Sequence, residues 1–448
     1  MRGLVILLLF LAVSTMASPA AGDVVGAGAD ARFTQTIAGT ELTVVVRSAA
    51  KVPADLRVEV VAYRPVPDLA VHLAIRSTET GHTSRATVTL KRDRPGVHPA
   101  TLRVTRAGPH ELELRAGGDV SVVPFRMLVS AASPWEFLIH GGLYAAGILV
   151  VGGLLTGGLS RRPSAFAVYG GATLAVVALT SAALSPALPP PVPDGAAPAP
   201  PVPQTGRPYA LARVATIPDR PATGEDFTLR LDLHDGSTGR PVDDLNLYHQ
   251  ALAHLVVTSD DGGFFRHLHP LRTAPGRLEA RLRADRPGRY LAYAEVEREG
   301  SGTQLVSAEF TVTAAAGALA APAVPAESGA GTGAPVLTPA RPVAGRPVTV
   351  ELDTGQGGIQ PWLGMAGHLI VRDREGGFLG HVHESGSMNA GPDVRPPQEG
   401  AAAYGPRLRF TFSFPEPGRY LAWVQYARNF HIETVPFVIT VAGEDVTP

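Results

Sequence analysis

The chain reads as a mainly β protein: three immunoglobulin-like β-sandwich domains, with a transmembrane helical hairpin between the first and the second. Three observations predict it. Short alternating segments recur between turn residues along most of the chain, as expected for antiparallel strands with one buried face. Two uncharged apolar blocks, each about twenty residues long, interrupt that pattern. Two stretches of about a hundred residues also repeat one another, down to the spacing of their histidines.

Composition narrows the function classes. The 448 residues carry 39 Lys+Arg against 40 Asp+Glu, a net charge of −1, which argues against a nucleic-acid partner. Cys is 0, so disulfide frameworks, thiolate metal sites and Cys nucleophiles are all absent. Gly 49 and Pro 41 make loops and linkers abundant.

Residues 1–22 read as a signal peptide: Met1-Arg2-Gly3 is a short basic start, residues 4–13 an apolar core, and Ser18, Ala20 and Gly22 a small-residue exit. Cleavage is expected near residues 20–22, with an uncleaved anchor as the alternative. Residues 23–132 then form the first β-sandwich. Alternating segments at 41–47, 56–63, 69–76, 86–90, 100–104, 111–115 and 122–129, punctuated by Pro95-Gly96 and Gly108-Pro109, give about seven short strands.

Two spans follow, residues 135–159 and 164–185. Their uncharged stretches would run about 34 and 30 Å as helices, against a hydrocarbon core of about 30 Å. Arg161 and Arg162 between them place the connection on the cytoplasmic side. All three β-domains then lie on the extracytoplasmic side of the cell membrane, the topology the export signal predicts independently. Gly153 and Gly157 have a small-xxx-small spacing, read as packing within the hairpin. Residues 186–208, rich in Pro and Ala, read as a polyproline spacer with a reach of about 60 Å.

The repeats are residues 209–313 and 338–442, joined by an Ala/Gly-rich linker at 314–337. The first carries His254, His267 and His269, the second His368, His381 and His383, with identical spacing. Each later reads Pro-Gly-Arg-Tyr-Leu-Ala, at 287–292 and 417–422. We read Tyr290, Tyr293, Tyr420 and Trp423 there as packing residues, or as a cover for the histidines. A two-residue type I′ turn at Asp261-Gly262 would set His254 opposite His269, and one at Glu375-Gly376 would set His368 opposite His383. His267 and His381, two residues earlier on the return strand, share the same face. Three imidazoles so placed can converge on one cation. A turn centred on Gly262-Gly263 would shift the pairing by two residues and weaken the arrangement.

The N-terminal region resembles the FixH family in strand layout and in its Pro95-Gly96 and Gly108-Pro109 rhythm. Members carry a small extracytoplasmic β-domain and are linked with oxidase maturation and metal transport. The repeats look like YtkA-like modules, secreted bacterial domains marked by His-Leu-His-Pro or His-Val-His that accompany copper and heavy-metal handling. His267-Leu268-His269-Pro270 keeps the full motif, whereas the second repeat has Glu384 in the proline place. The resemblance implies metal association, and a metal-receiving or oxidase-assembly protein as partner.

With no thiolates, neutral imidazole suits Cu(II), Zn or Ni. Met365 and Met388 flank the second cluster and add candidate thioether ligands there. The expectation is therefore a membrane-anchored metal-binding protein that handles copper ion, with zinc as the alternative. His249 and His431 read as loop histidines. Two other readings stand beside it: a zinc metalloenzyme with a three-histidine site, and a structural or adhesive surface protein. Against an enzyme, no general base recurs in both repeats, and there is no nucleophile elbow, Walker loop or dinucleotide fingerprint.

Overall fold

The first domain begins one strand earlier than the sequence pattern announces. Ala31–Ile37 pairs with Thr40–Val46, and that hairpin extends through Ala54–Ala62 to Gly96–Val104 as one four-stranded sheet. A second sheet runs Thr83–Leu90, Leu69–Ser77, Gly108–Ala116, Asp119–Met127. Phe33, Val44, Val60, Leu73 and Leu114 fill the space between them. The first strand lacks an apolar alternation because Thr34 and Gln35 are buried. Thr34 Oγ1 pairs with Thr43 Oγ1 at 2.9 Å, and Gln35 Nε2 donates to Ser121 Oγ at 2.8 Å.

This is a computed structural model that describes residues 28–131, 133–185, 191–198, 206–315, 333–388 and 397–443. The export signal read at residues 1–22 and most of the linker read at 314–337 lie outside the described residues.

Helix α1, Pro134–Leu155, and helix α2, Arg162–Leu184, follow the first domain. Trp135–Leu155 and Arg162–Leu184 are long and apolar enough to cross a membrane, with mean hydropathies of 1.9 and 1.7. The first ends short of the expected residue 159, because Gly157 and Gly158 turn the chain with φ of 145° and 57°. Arg162 already belongs to α2, so Arg161 alone of the pair lies in the connection. The helices pack through glycines: a Cβ on Gly153 would sit 2.8 Å from the Ser164 carbonyl oxygen, and one on Gly171 2.9 Å from that of Ala146. Such close approach is what small residues allow between apolar helices. Gly157, outside α1, takes no part in that packing.

The Pro/Ala stretch does not run free where it is described. Val129 and Asp194 form an antiparallel bridge, and Arg126 donates to the Gly195 carbonyl at 3.1 Å. The chain thus returns from the helices to the domain it left, and the long reach expected of residues 186–208 is not seen at residues 191–198.

The two repeats share one topology, except that the first has an extra edge strand, Leu271–Ala274. In the first, Leu271–Ala274, Arg277–Arg283, Asp226–Asp235 and Ala210–Ile217 form one sheet. Leu245–Asn246, Gly288–Arg298, His254–Ser259 and Phe265–Leu268 form the other, with Gly302–Val312 added to Gly288–Arg298. In the second, Val336–Thr338, Pro347–Asp353 and Arg407–Ser413 face Ile359–Gln360, Gly418–Arg428, His368–Asp373 and Leu379–His383, with His431–Val441 added likewise. Tyr290 and Tyr420 are packed into the sandwich cores.

The strand His254–Ser259 is buried at every position. Its odd-numbered residues Leu255 and Val257 enter their own sandwich core, while Val256 on the other face meets Ile370 of the second repeat. His368–Asp373 alternates in the same way, with Leu369 and Val371 inward and only its last residue, Asp373, partly exposed. Side chains alternate along a strand, so both sets of histidines project into the seam between the repeats. The first domain closes one end of that seam through Val45, Val61 and Tyr63, which pack on Ala251, Trp362 and Leu363.

Candidate metal centre

Each histidine trio is built by a hairpin whose register places it. His368 pairs with His383 and Ile370 with His381. In the first repeat Leu255 pairs with Leu268 and Val256 with His267, which sets His254 across from His269 at the strand end. The turn differs from the type I′ pair expected. Ser259 N donates to Phe264 O at 3.0 Å and Asp373 N to Phe378 O at 3.2 Å, so each loop has four residues. Only Gly262 and Gly376 are left-handed there, with φ of 75° and 83°. Asp261 does not adopt positive φ; its carboxylate accepts from Gly263 N at 2.9 Å. A four-residue loop shares its centre with the two-residue turn, so the register is unchanged.

In the first trio His254 Nδ1 lies 3.3 Å from His267 Nε2 and 3.3 Å from His269 Nε2. In the second His368 Nδ1 lies 3.2 Å from His381 Nε2, and the His383 ring is 5.2 and 4.8 Å from those of His368 and His381. Within each trio one nitrogen per ring falls inside 4.8 Å of the others. All six rings are buried or nearly so; His254, His269 and His368 are at most 1% exposed.

The outward nitrogens fix the tautomers. His254 Nε2 donates to Tyr248 O at 3.0 Å, and His368 Nε2 to Trp362 O at 3.2 Å. His267 Nδ1 donates to Gln425 Oε1 at 3.0 Å, whose amide is oriented by its own donation to Thr434 Oγ1 at 2.9 Å. His269 Nδ1 donates to Glu41 Oε1 at 2.6 Å, and His381 Nδ1 to Glu295 Oε2 at 2.7 Å. A neutral imidazole that donates from one nitrogen presents a lone pair on the other. Three lone pairs therefore face one another in the first trio, and two face one another between His368 and His381. His383 Nε2 is buried beside them without a hydrogen-bond partner among the described residues.

One shared proton would satisfy a single such contact. A central cation would satisfy all three, and tetrahedral bonds of 2.0–2.1 Å give a nitrogen–nitrogen edge of roughly 3.3 Å. Carbonyl and carboxylate groups behind ligand histidines are the usual outer support of a metal site. Burial first, then the neighbouring imidazoles, holds His254, His267 and His368 well below the usual histidine range. Burial brings His383 down to about 2. Neutral rings are the form that ligates.

Sequence reasoning missed the supports. Glu295 and Gln425 occupy equivalent places, as the strand partners of His254 and His368. They were visible as polar residues in the otherwise apolar runs after Tyr293 and Trp423. Glu41 comes from another domain and left no signal. His249 is not a free loop residue: its ring lies 3.8 Å from that of His383, and burial lowers it to about 4. His431 is exposed and paired with Glu433 at 3.1 Å. Met388 is 53% exposed, outside the buried cluster, while Met365 forms a tight backbone bridge with Trp362. Glu384 is no base toward the rings; its carboxylate accepts from Gly386 N at 2.9 Å and Ser387 N at 2.8 Å, capping a short helical turn, Ser385–Met388.

Comparisons with known proteins add little to this geometry. Bacterial invasin aligns at 12% identity with a TM-score of 0.15, covering 90% of this chain and 60% of its own. A bacterial ice-binding adhesin aligns at 9% and 0.18, covering 93% and 98%. The FN1–FN3 domains of chicken CNTN1 align at 8% and 0.16, covering 88% and 97%. The chain thus spans about three fifths of invasin's resolved length, and similarity this low carries no argument about activity. No curated protein matches. One family model, described as a domain of unknown function (DUF8832), matches residues 212–316 and again residues 335–443, so the two repeats are similar to the same family.

Proposed function

We propose that this chain is a membrane-anchored, extracytoplasmic metal-binding protein that handles copper as a chaperone, buffer or resistance component, with zinc as the competing ion. One observation carries the reading: outer hydrogen bonds orient the rings so that imidazole lone pairs converge at 3.2–3.3 Å. Among first-row divalent ions Cu(II) binds nitrogen sites most tightly. The extracytoplasmic placement rests on the export signal, on Arg161 between the helices and on Arg162 at the start of α2. The partner, on this reading, is a protein that receives the metal, in keeping with the resemblance to FixH and YtkA-like modules. We assign no catalysis to the centre, since both trios are buried and Glu384 serves as a cap.

The test uses the full chain in detergent, stripped of metal and titrated with Cu(II). One ion per trio is expected. His267→Ala with His269→Ala should remove one, and His381→Ala with His383→Ala the other. Uptake unchanged in both double variants would end the reading.

A structural surface-module reading has one observation in its favour. The seam between the repeats is also held without any ion, by buried Arg372, which donates to Thr258 Oγ1 at 2.8 Å, Ser259 O at 3.1 Å and Asp260 O at 2.8 Å. That reading leaves the facing lone pairs without a purpose.

A further inference from the structure

The middle histidine of each trio is not held by its own repeat. His267 of the first repeat donates to Gln425 of the second at 3.0 Å, and His381 of the second donates to Glu295 of the first at 2.7 Å. Glu295 is the strand partner of His254, and Gln425 that of His368. Each thus stands beside the first histidine of its own trio while orienting the middle histidine of the other. The exchange is reciprocal, as expected about a pseudo-twofold axis between the repeats.

The rings of the two trios also touch. His381 lies 5.1 Å from His254 and 5.1 Å from His267 between ring centroids, and His267 lies 6.0 Å from His368. Beneath them the seam is packed by Val256, Leu291, Tyr293, Ile370, Leu421 and Trp423. Phe265 stacks on Trp423 at 4.5 Å and 13°, and Tyr293 donates to Gly376 O at 2.7 Å. These contacts fix the repeats against each other, so the cross-repeat bonds to the histidines are positioned by a packed core.

Resting on the metal reading above, we propose that the two trios form one dinuclear centre at the seam, one ligand histidine of each ion being oriented by the opposite repeat, with Glu295 and Gln425 as the positioning residues. The asymmetry has a consequence. A carboxylate raises the basicity of the histidine behind which it stands more than an amide does. Glu295 therefore strengthens the second trio through His381, while Gln425 does less for the first through His267.

The experiment is Cu(II) titration of the full chain in detergent, read by competition with a chelator and by electron paramagnetic resonance. Glu295→Gln should weaken the step of the second trio by about 10- to 100-fold and spare the first. Gln425→Glu should tighten the step of the first trio by about tenfold, a gain that mere damage to the seam does not produce. At two equivalents the spectrum should show two magnetically coupled Cu(II) ions, and His381→Ala with His383→Ala should return it to an isolated ion. If both substitutions leave both steps unmoved, or the two ions are uncoupled at saturation, the dinuclear proposal falls while two separate sites remain. If neither trio takes up Cu(II), the metal reading falls first.

Discussion

The two histidine trios share a hairpin design, a register and the tautomers of their first two rings, yet their third histidines are finished differently. His269 is gripped from outside its repeat: Nδ1 donates to Glu41 at 2.6 Å, and its backbone exchanges bonds with Thr36, N to Oγ1 at 3.0 Å and O from N at 2.8 Å. Trp362 donates to the same Glu41 oxygen at 3.2 Å. His383 instead meets the ring of His249, and its chain continues into the turn capped by Glu384. Where the first repeat has Pro270, the second thus spends Glu384 on backbone. A repeated motif thus specifies the inward-facing nitrogens, while neighbouring domains decide how firmly each ring is held.

Acid should have the largest effect, and it should act on both trios, since two lowered rings belong to each. A histidine held below its unfolded value binds fewer protons folded than unfolded, so stability is intact above about pH 6.5 and erodes as pH falls below it. The slope is about 1.4 kcal/mol per pH unit for each such ring, and His383, His254, His267 and His368 all contribute in that direction. Metal-free protein should therefore melt several degrees lower at pH 5.5 than at 7.5 by calorimetry, and His383→Gln should flatten that dependence. A melting temperature indifferent to pH would contradict the neutral, buried state of the rings.

Next in size is the seam itself. Arg372→Met removes three donated hydrogen bonds from a fully buried guanidinium, and should cost about 2 kcal/mol in urea unfolding. It should weaken both trios together, since neither keeps its cross-repeat support when the repeats loosen. Smallest is Glu41→Gln, which should lower affinity at the first trio about tenfold and leave the second unmoved. Equal loss at both would show that the first domain steadies the seam rather than one ring.

Much of the site was legible in the sequence because it depends on local rules. Strand alternation put His267 and His269 on one face, and glycines at 262 and 376 centred the loops correctly although their type was misjudged. The supports were not legible, because Glu41 and His269 are 228 residues apart and meet only through packing between domains. Ala31–Ile37 escaped for a related reason: its buried Thr34 and Gln35 find partners on other strands, so burial left no apolar trace. Residues 186–208 were read from composition alone, which says how stiff a segment is but not that Asp194 will pair with Val129.

That pairing carries one more consequence. Because Val129 and Asp194 already lie side by side, the two apolar helices are an excursion whose start and finish coincide. Replacing them with a tight connecting turn should yield a water-soluble chain that keeps all six rings, and thereby separate what the anchor contributes from what the histidines do.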